Sequence, residues 1–295
     1  MRVTVIQRLC LVASMSTVLA VVPLSASGAA PTNHFVTIDL PSESTTLPSS
    51  INDLGVIAGT YYDASDNSHG YVQRGNTFAT IDDPLGVGTT AGNGDNLLGV
   101  VTGFYGPEPG TSGFIEHNGV FTTEDDPSGV DGTAPNAIND VGVVVGGYFD
   151  SSGTPHAYSE RGNVYTNFSP SLFVGASYAA GVNDFGEVVG FYLDTSGNAH
   201  GFLERNGIFS TIDDPMGVEG TSPNEINNLG DVVGTYYDST GMAHGYYEHN
   251  GVFTTVDDPL GGDGNLLFGV NDLGVAVGVY FDSDGAPHGF KWSRS

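Results

Sequence analysis

Six copies of one pattern, spaced by 43 or 44 residues, fill almost the whole chain after residue 30. That period restricts the fold more than any single motif does. A histidine followed by Gly or Ala and an aromatic stands at His69-Gly70-Tyr71, His156-Ala157-Tyr158, His200-Gly201-Phe202, His244-Gly245-Tyr246 and His288-Gly289-Phe290. Ser112-Gly113-Phe114 fills the remaining slot. An Asn with a Gly three residues later recurs as Asn52/Gly55, Asn96/Gly99, Asn139/Gly142, Asn183/Gly186, Asn227/Gly230 and Asn271/Gly274. A Thr-Ile-Asp-Asp-Pro-like stretch opens on an aromatic at Phe35, Phe78, Phe121, Tyr165, Phe209 and Phe253.

The unit at 177–215 shows what one copy encodes. Ser177 to Val182 is a short apolar run, followed by the tight turn Asn183-Asp184-Phe185-Gly186. Glu187 to Asp194 is rich in β-branched and aromatic residues and reads as a strand. A longer turn to His200 leads into a third strand, His200 to Arg205. Asn206-Gly207 signals a hairpin, because both residues tolerate positive φ. Ile208 to Asp213 is a fourth strand, and Pro215 ends it. No segment has helical periodicity. Four short antiparallel strands per repeat is the content of one propeller blade. The expected fold is therefore all-β: a six-bladed β-propeller, with a β-solenoid or two-sheet sandwich as the competitor. The repeats begin with a lone fourth strand at 34–39 and end with a third strand, His288 to Ser293. Pairing of these two would close the ring. The glycines Gly59, Gly103, Gly146, Gly190, Gly234 and Gly278 each precede a Tyr by two residues. They are expected to let a neighbouring blade approach, with the Tyr filling the gap.

Residues 1–29 stand apart. Arg2 and Arg8, the apolar run Leu9 to Leu24 and the small residues Ser25 to Ala30 form the three-part layout of a secretory signal peptide. Export to an extracellular location is the expectation, with 30–295 as a single domain. The only cysteine, Cys10, falls in the leader, so a processed chain has no disulfide and no thiol chemistry. The chain holds 34 Asp and Glu against 7 Lys and Arg, for a formal charge of −27. Nucleic acid is excluded as a partner by the absence of clustered positive charge. No second apolar segment is long enough for a membrane span. A monomer is the expected state.

With the first strand innermost, the Asn-Gly hairpins share one face with the first turn. The Asp-x-x-Gly-x-x-His turns and the Asp-Asp-Pro connections share the other. The second face carries the candidate chemistry. His156, His200 and His244 are candidate ligand-binding residues, each preceded by an Asp six residues earlier. The simpler role for that Asp is to bond the His or the local backbone and close the turn. Asp282 and Asp284 are the best local candidates for Ca2+, which takes hard oxygen ligands. A unique site is expected where the repeat breaks its own rule. One such place pairs Asp95 with Glu108, and another presents Phe173 and Tyr178, an aromatic pair suited to stacking on a sugar ring.

The copies Ile138-Asn139-Asp140 through His156-Ala157-Tyr158, and Val270-Asn271-Asp272 through His288-Gly289-Phe290-Lys291-Trp292, resemble the bacterial extracellular repeat family named for its His-Ala-Phe motif. The resemblance covers the chain after the leader and implies secretion and a repeat fold. It carries no agreed reaction, so no catalytic residue follows from it. The functional expectation is a secreted binding or scaffold module for an extracellular polysaccharide or protein. The alternatives are a carbohydrate hydrolase or lyase using Asp, Glu or His, and a structural component of the cell surface.

Overall fold

The computed structural model describes residues 34–40, 45–106, 110–170 and 173–294. Those residues form 24 β-strands and no helix. The leader lies outside them.

Each repeat is one four-stranded antiparallel blade. In blade 4 the strands are Ser177–Val182, Val188–Leu193, Ala199–Arg205 and Ile208–Thr211, paired in chain order. The blades span 46–81, 90–123, 133–167, 177–211, 220–255 and 264–293. Blade 6 takes its fourth strand from the N-terminal side: His34–Ile38 pairs with Pro287–Ser293, from His34 opposite Ser293 to Ile38 opposite Gly289. The expected closure is what the chain does.

A buried aromatic on each third strand anchors its blade. Tyr71, Phe114, Tyr158, Phe202, Tyr246 and Phe290 are all almost fully buried. Each meets the aromatic of its fourth strand at ring separations of 5.4–5.8 Å, including Phe290 with Phe35 across the closure. The repeated glycines of the second strand serve this packing rather than the neighbouring blade. A Cβ on Gly59 would lie 2.3 Å from the Leu47 carbonyl oxygen and 2.8 Å from the Tyr71 ring, both in its own blade. The Tyr two residues on does not bridge blades either; it stacks on the histidine of its own third strand, as Tyr61 does on His69 at 4.9 Å.

The first strands of adjacent blades contact one another all the way round. Every first strand carries a bulge, as between Pro135 and Ala137 or Ala179 and Gly181. The extra residue of each bulge, Ser49, Asn93, Asn136, Ala180, Asn224 or Phe268, lines the axis. Beyond the bulge, the repeated asparagines form a closed belt. Each Nδ2 donates to the backbone carbonyl of the corresponding Asn in the next blade, from Asn52 to Asn96, Asn139, Asn183, Asn227, Asn271 and back to Asn52, at 2.8–3.2 Å. Their Oδ1 atoms accept local amides, as Asn52 does from Leu54 and Val56. One residue type thus shapes the turn and ties the hub.

Candidate functional site

The two faces of the ring carry different chemistry. On the histidine face, Asp63, Asp150, Asp194, Asp238 and Asp282 each accept the backbone amides two and four residues ahead. This fixes the turn. The hydrogen bonds hold Asp63, Asp194 and Asp238 down at about 2, led by the Asn67 side chain, the Asn198 amide and the Thr240 hydroxyl respectively. The histidine then reaches two carboxylates. His200 Nδ1 lies 2.8 Å from Asp213 and its Nε2 3.5 Å from Asp194; His69 and His244 repeat the arrangement with Asp82/Asp63 and Asp257/Asp238. His288 reaches Asp282 and, across the ring closure, Asp39. His156 meets Asp150 at 3.0 Å but has no second carboxylate, because Ser169 stands where the other copies have Asp. Burial works against a charge on His69 and His200, but the paired aspartates outweigh it and raise both; Asp257 is the leading cause at His244. With both nitrogens engaged, His69, His200, His244 and His288 tie the third strand to the fourth and are poorly placed for a ligand, while His156 is held by Asp150 alone.

The two residues of each Asp pair have different jobs. The first binds the histidine, except in blade 2, where Ser112 replaces the histidine and Asp125 accepts the Gly113 amide. The second is buried, as Asp83, Asp126, Asp214 and Asp258 are, and its carboxylate accepts the amide two residues on. It starts the crossover to the next blade. Asp282 follows the turn pattern, with Oδ1 accepting the Asp284 and Ala286 amides. The oxygens of Asp282 are therefore already engaged. Among the described residues, no group of three or more His, Cys, Asp or Glu side chains converges in a metal-ligating arrangement. The Ca2+ expectation at Asp282 and Asp284 has no supporting ligand set.

The hub opens on this same face as an aromatic cavity of about 180 Å³. Its walls include Tyr62, Phe104, Phe149, Tyr178, Phe191 and Phe268. Tyr178 and Phe191 stack at 5.4 Å, and Phe149 meets Tyr178 edge-on at 6.0 Å. Gly147 makes room for this cluster: a Cβ there would lie 2.4 Å from the Tyr178 ring. Polar groups come from the bulges. The amide nitrogens of Asn93, Asn136 and Asn224 donate to Pro135, Ala179 and Leu267 of the next blade at 2.7–2.9 Å. Their side-chain carbonyls are left as acceptors. Beside the cavity on blade 5, the buried hydroxyls of Ser222 and Thr235 have no protein partner among the described residues. Among the described residues, no Asp, Glu, His, Lys or Arg lines the cavity.

The opposite mouth, on the turn face, is acidic. Asp53, Asp140, Asp184 and Asp272, with Asn228, form a second belt in which each side-chain oxygen accepts the backbone amide of the equivalent residue in the preceding blade, as Asp184 does from Asp140 at 2.8 Å. Leu97 interrupts the belt in blade 2. Two further acids break the repeat. Asp95 replaces an Ile or Val of the other copies, accepts from Ser50 and Asn52 at 2.6 and 2.7 Å, and is pushed up to about 7 by burial. Glu225 stands where the others have Gly, Ala or Ser; burial lifts it to about 8, with Asp95 adding to the shift.

The sequence-flagged residues thus scatter. Asp95 lies at the turn-face mouth. Glu108 lies outside the described residues, and the flanking Gly106 and Gly110 belong to the histidine face. Phe173 packs into blade 4 against Tyr192, Phe202 and Phe209 at 4.9–5.5 Å, while Tyr178 lines the hub. The two do not form a stacking pair. Glu225 and the cavity aromatics Phe104, Phe149 and Phe191 went unflagged. Glu225 departs from the repeat, Phe104 and Phe191 stand just after the repeated Gly, and Phe149 follows the repeated Tyr; those positions were their only signal.

No protein-family model and no curated protein matches the chain. Solved structures do. A lectin of Aleuria aurantia, solved with Fucα1-6GlcNAc, aligns at a TM-score of 0.57 and 10% identity over 86% of this chain and 96% of its own. TolB from Acinetobacter baumannii aligns at 0.58 and 10% identity, over 82% of this chain and 65% of TolB. The β-propeller domain of the Trilobed protease from Pyrococcus furiosus aligns at 0.50 and 13%, over 85% and 80%. The Aleuria fold is a six-bladed β-propeller. The present chain is a six-bladed β-propeller of the same general form.

Proposed function

We propose that the protein is an exported carbohydrate-binding module of the His-Ala-Phe repeat family, and that the hub cavity holds one sugar residue of an extracellular glycan. The observation that carries this reading is the lining of the cavity. Aromatic rings receive the C–H face of a sugar, and amide carbonyls and hydroxyls receive its hydroxyl groups. A lining with no acid, base or charge among the described residues favours binding over hydrolysis, because glycoside cleavage needs two placed carboxylates. Of the acids raised to about 7 or 8, Asp95 and Glu225 are at the other mouth and Glu124 is at the junction of blades 2 and 3. Lectins among the structural neighbours support the same reading, and fucose, the sugar for which the Aleuria lectin is specific, is a natural first probe.

A glycan array, followed by titration calorimetry on the best ligands and on fucose, tests the proposal. Binding to at least one glycan class is expected, weakened about tenfold by Phe149→Ala or Phe191→Ala. Absence of binding across the array removes the carbohydrate reading.

A further inference from the structure

The turn after each first strand leaves its third residue in solvent. In all six copies that residue is large and apolar: Leu54, Leu98, Val141, Phe185, Leu229 and Leu273. Their exposure runs from 49% for Val141 to 75% for Leu54 and Phe185. The turn does not need them. Its shape comes from the Asn side chain, which accepts two amides, and from the following Gly at positive φ, 70–81° in all six. A single exposed Leu is ordinary. Six apolar side chains at one equivalent, solvent-facing position are not scatter, and exposed apolar surface of this kind marks contact surfaces. The other exposed apolar positions are incomplete: the crossovers have Leu85, Met216 and Leu260 but Ser128, and the outer hairpins have Val120, Val164, Ile208 and Val252 but Thr77.

These six side chains crown the acidic mouth. Inside them lie Asp53, Asp140, Asp184 and Asp272, with Asp95 and Glu225 also lining the mouth, and among the described residues no Lys or Arg lines it. Burial, with repulsion among the aspartates adding to it, raises Asp53 and Asp140. Arg205 is paired with Glu187 at 2.7 Å, and Arg74 acts on Asp95 from beside the mouth; neither is among the residues that line it. An apolar ring around an excess of negative charge fits an occupant with the reverse arrangement. We infer that the turn face docks a protein segment that places a Lys or Arg side chain in the acidic mouth and rests flanking apolar residues on the crown. Charge complementarity selects this occupant: a second copy would bring two acidic mouths together, and anionic lipid or polysaccharide would meet the same repulsion. This surface is on the opposite face from the proposed sugar cavity and does not depend on it.

The test uses the full chain and two short peptides, Leu-Leu-Lys-Leu-Leu and Leu-Leu-Glu-Leu-Leu, with calorimetry at low and high salt. The Lys peptide is expected to bind and to weaken as salt screens the mouth, while the Glu peptide does not bind. Asp53→Asn combined with Asp140→Asn should weaken the Lys peptide about tenfold, as should Leu54→Ser combined with Phe185→Ser. Asn228 already occupies one place in the aspartate belt, so the belt accommodates Asn, and an unchanged thermal melt checks the fold of every variant. Equal binding of both peptides, no binding of the Lys peptide, or binding indifferent to both variants overturns the inference. So does crown-dependent self-association in sedimentation, which assigns the face to a second copy. Crown-dependent binding to phosphatidylcholine vesicles that ignores the Asp→Asn changes assigns it to lipid and overturns it equally.

Discussion

At the scale of the residue, the same side chain does several jobs because the repeat gives it several neighbours. His200 is the clearest case: a Tyr192 ring 5.5 Å away on one side, and one carboxylate at each nitrogen. Two acceptors favour the doubly protonated ring, so the pair with Asp213 raises the His200 pKa against the opposing effect of burial. Asp213→Asn removes the charge but keeps an acceptor oxygen. NMR titration of His200 in that variant should give a lower pKa than in the parent; an unchanged value would mean that Asp213 is not the source of the shift. The sequence showed that Asp and His vary together between copies, which pointed correctly to a structural pair. It did not show the first Asp of each Asp-Asp-Pro stretch as the second partner, since that contact spans a strand pairing.

At the scale of the element, the six blade junctions are variations on one apolar contact, and one departs from it. Phe168 of blade 3 meets Phe209 of blade 4 at 5.7 Å, and Ile212 packs in one cluster with Phe253. At the junction of blades 2 and 3 the equivalent pair is Glu124 and Tyr165, joined by a 2.7 Å hydrogen bond. Glu124 is buried, and burial pushes it up to about 7, with repulsion from Glu160, Asp125 and Asp126 adding to the shift. The nearby Tyr158 hydroxyl and Asp126 Oδ2 have no partner among the described residues. Replacing the pair with the apolar one used elsewhere, as Glu124→Ile with Tyr165→Phe, should stabilise the protein by about 1–2 kcal/mol at pH 8, where Glu124 is otherwise ionised in a buried place. At pH 5 the gain should largely vanish. Denaturant melts at the two pH values measure this; an equal gain at both would show that ionisation of Glu124 is not the reason. Strand content was legible from the sequence because each turn carries its own local signal, as Asn206-Gly207 does. The role of the repeated glycines was misread, since whether Gly59 faces its own blade or the next depends on a bulge that leaves no local mark.

At the scale of the whole molecule, the ring is closed at several levels: by His34–Ile38 on blade 6, by the Asn271 to Asn52 and Asp272 to Asp53 bonds of the two hub belts, and by His288 with Asp39 on the rim. The first was readable from the unmatched strands at the two ends of the repeats. The hub belts were not, because they join residues one repeat apart by side chains whose local role already explained them. The titrating groups act together on the assembled ring. Glu124, Asp95 and Glu225 have folded values of about 7, 7 and 8, above their unfolded ones, so the native state holds protons the unfolded chain has released. Their contribution is complete below the unfolded carboxylate range and is lost as pH rises through 7 to 8. The raised histidines lose stability in the same direction. The turn aspartates Asp63, Asp194 and Asp238, lowered to about 2, act oppositely: their stabilisation is present above the unfolded range and is lost as pH falls towards 2. The thermal midpoint should therefore peak near pH 5 and fall on both sides; a midpoint that climbs steadily from pH 5 to 8 would contradict these assignments.

The central claim is that a sugar enters the hub through the histidine face. Ala180 lines that cavity at a bulge, so a large side chain there fills the space without removing any core contact. The most direct measurement is calorimetric titration of the Ala180→Trp variant with the best glycan from the array, beside the parent. The account predicts that binding is lost while the thermal midpoint stays close to that of the parent. Undiminished binding in a folded Ala180→Trp protein would place the sugar elsewhere and contradict it.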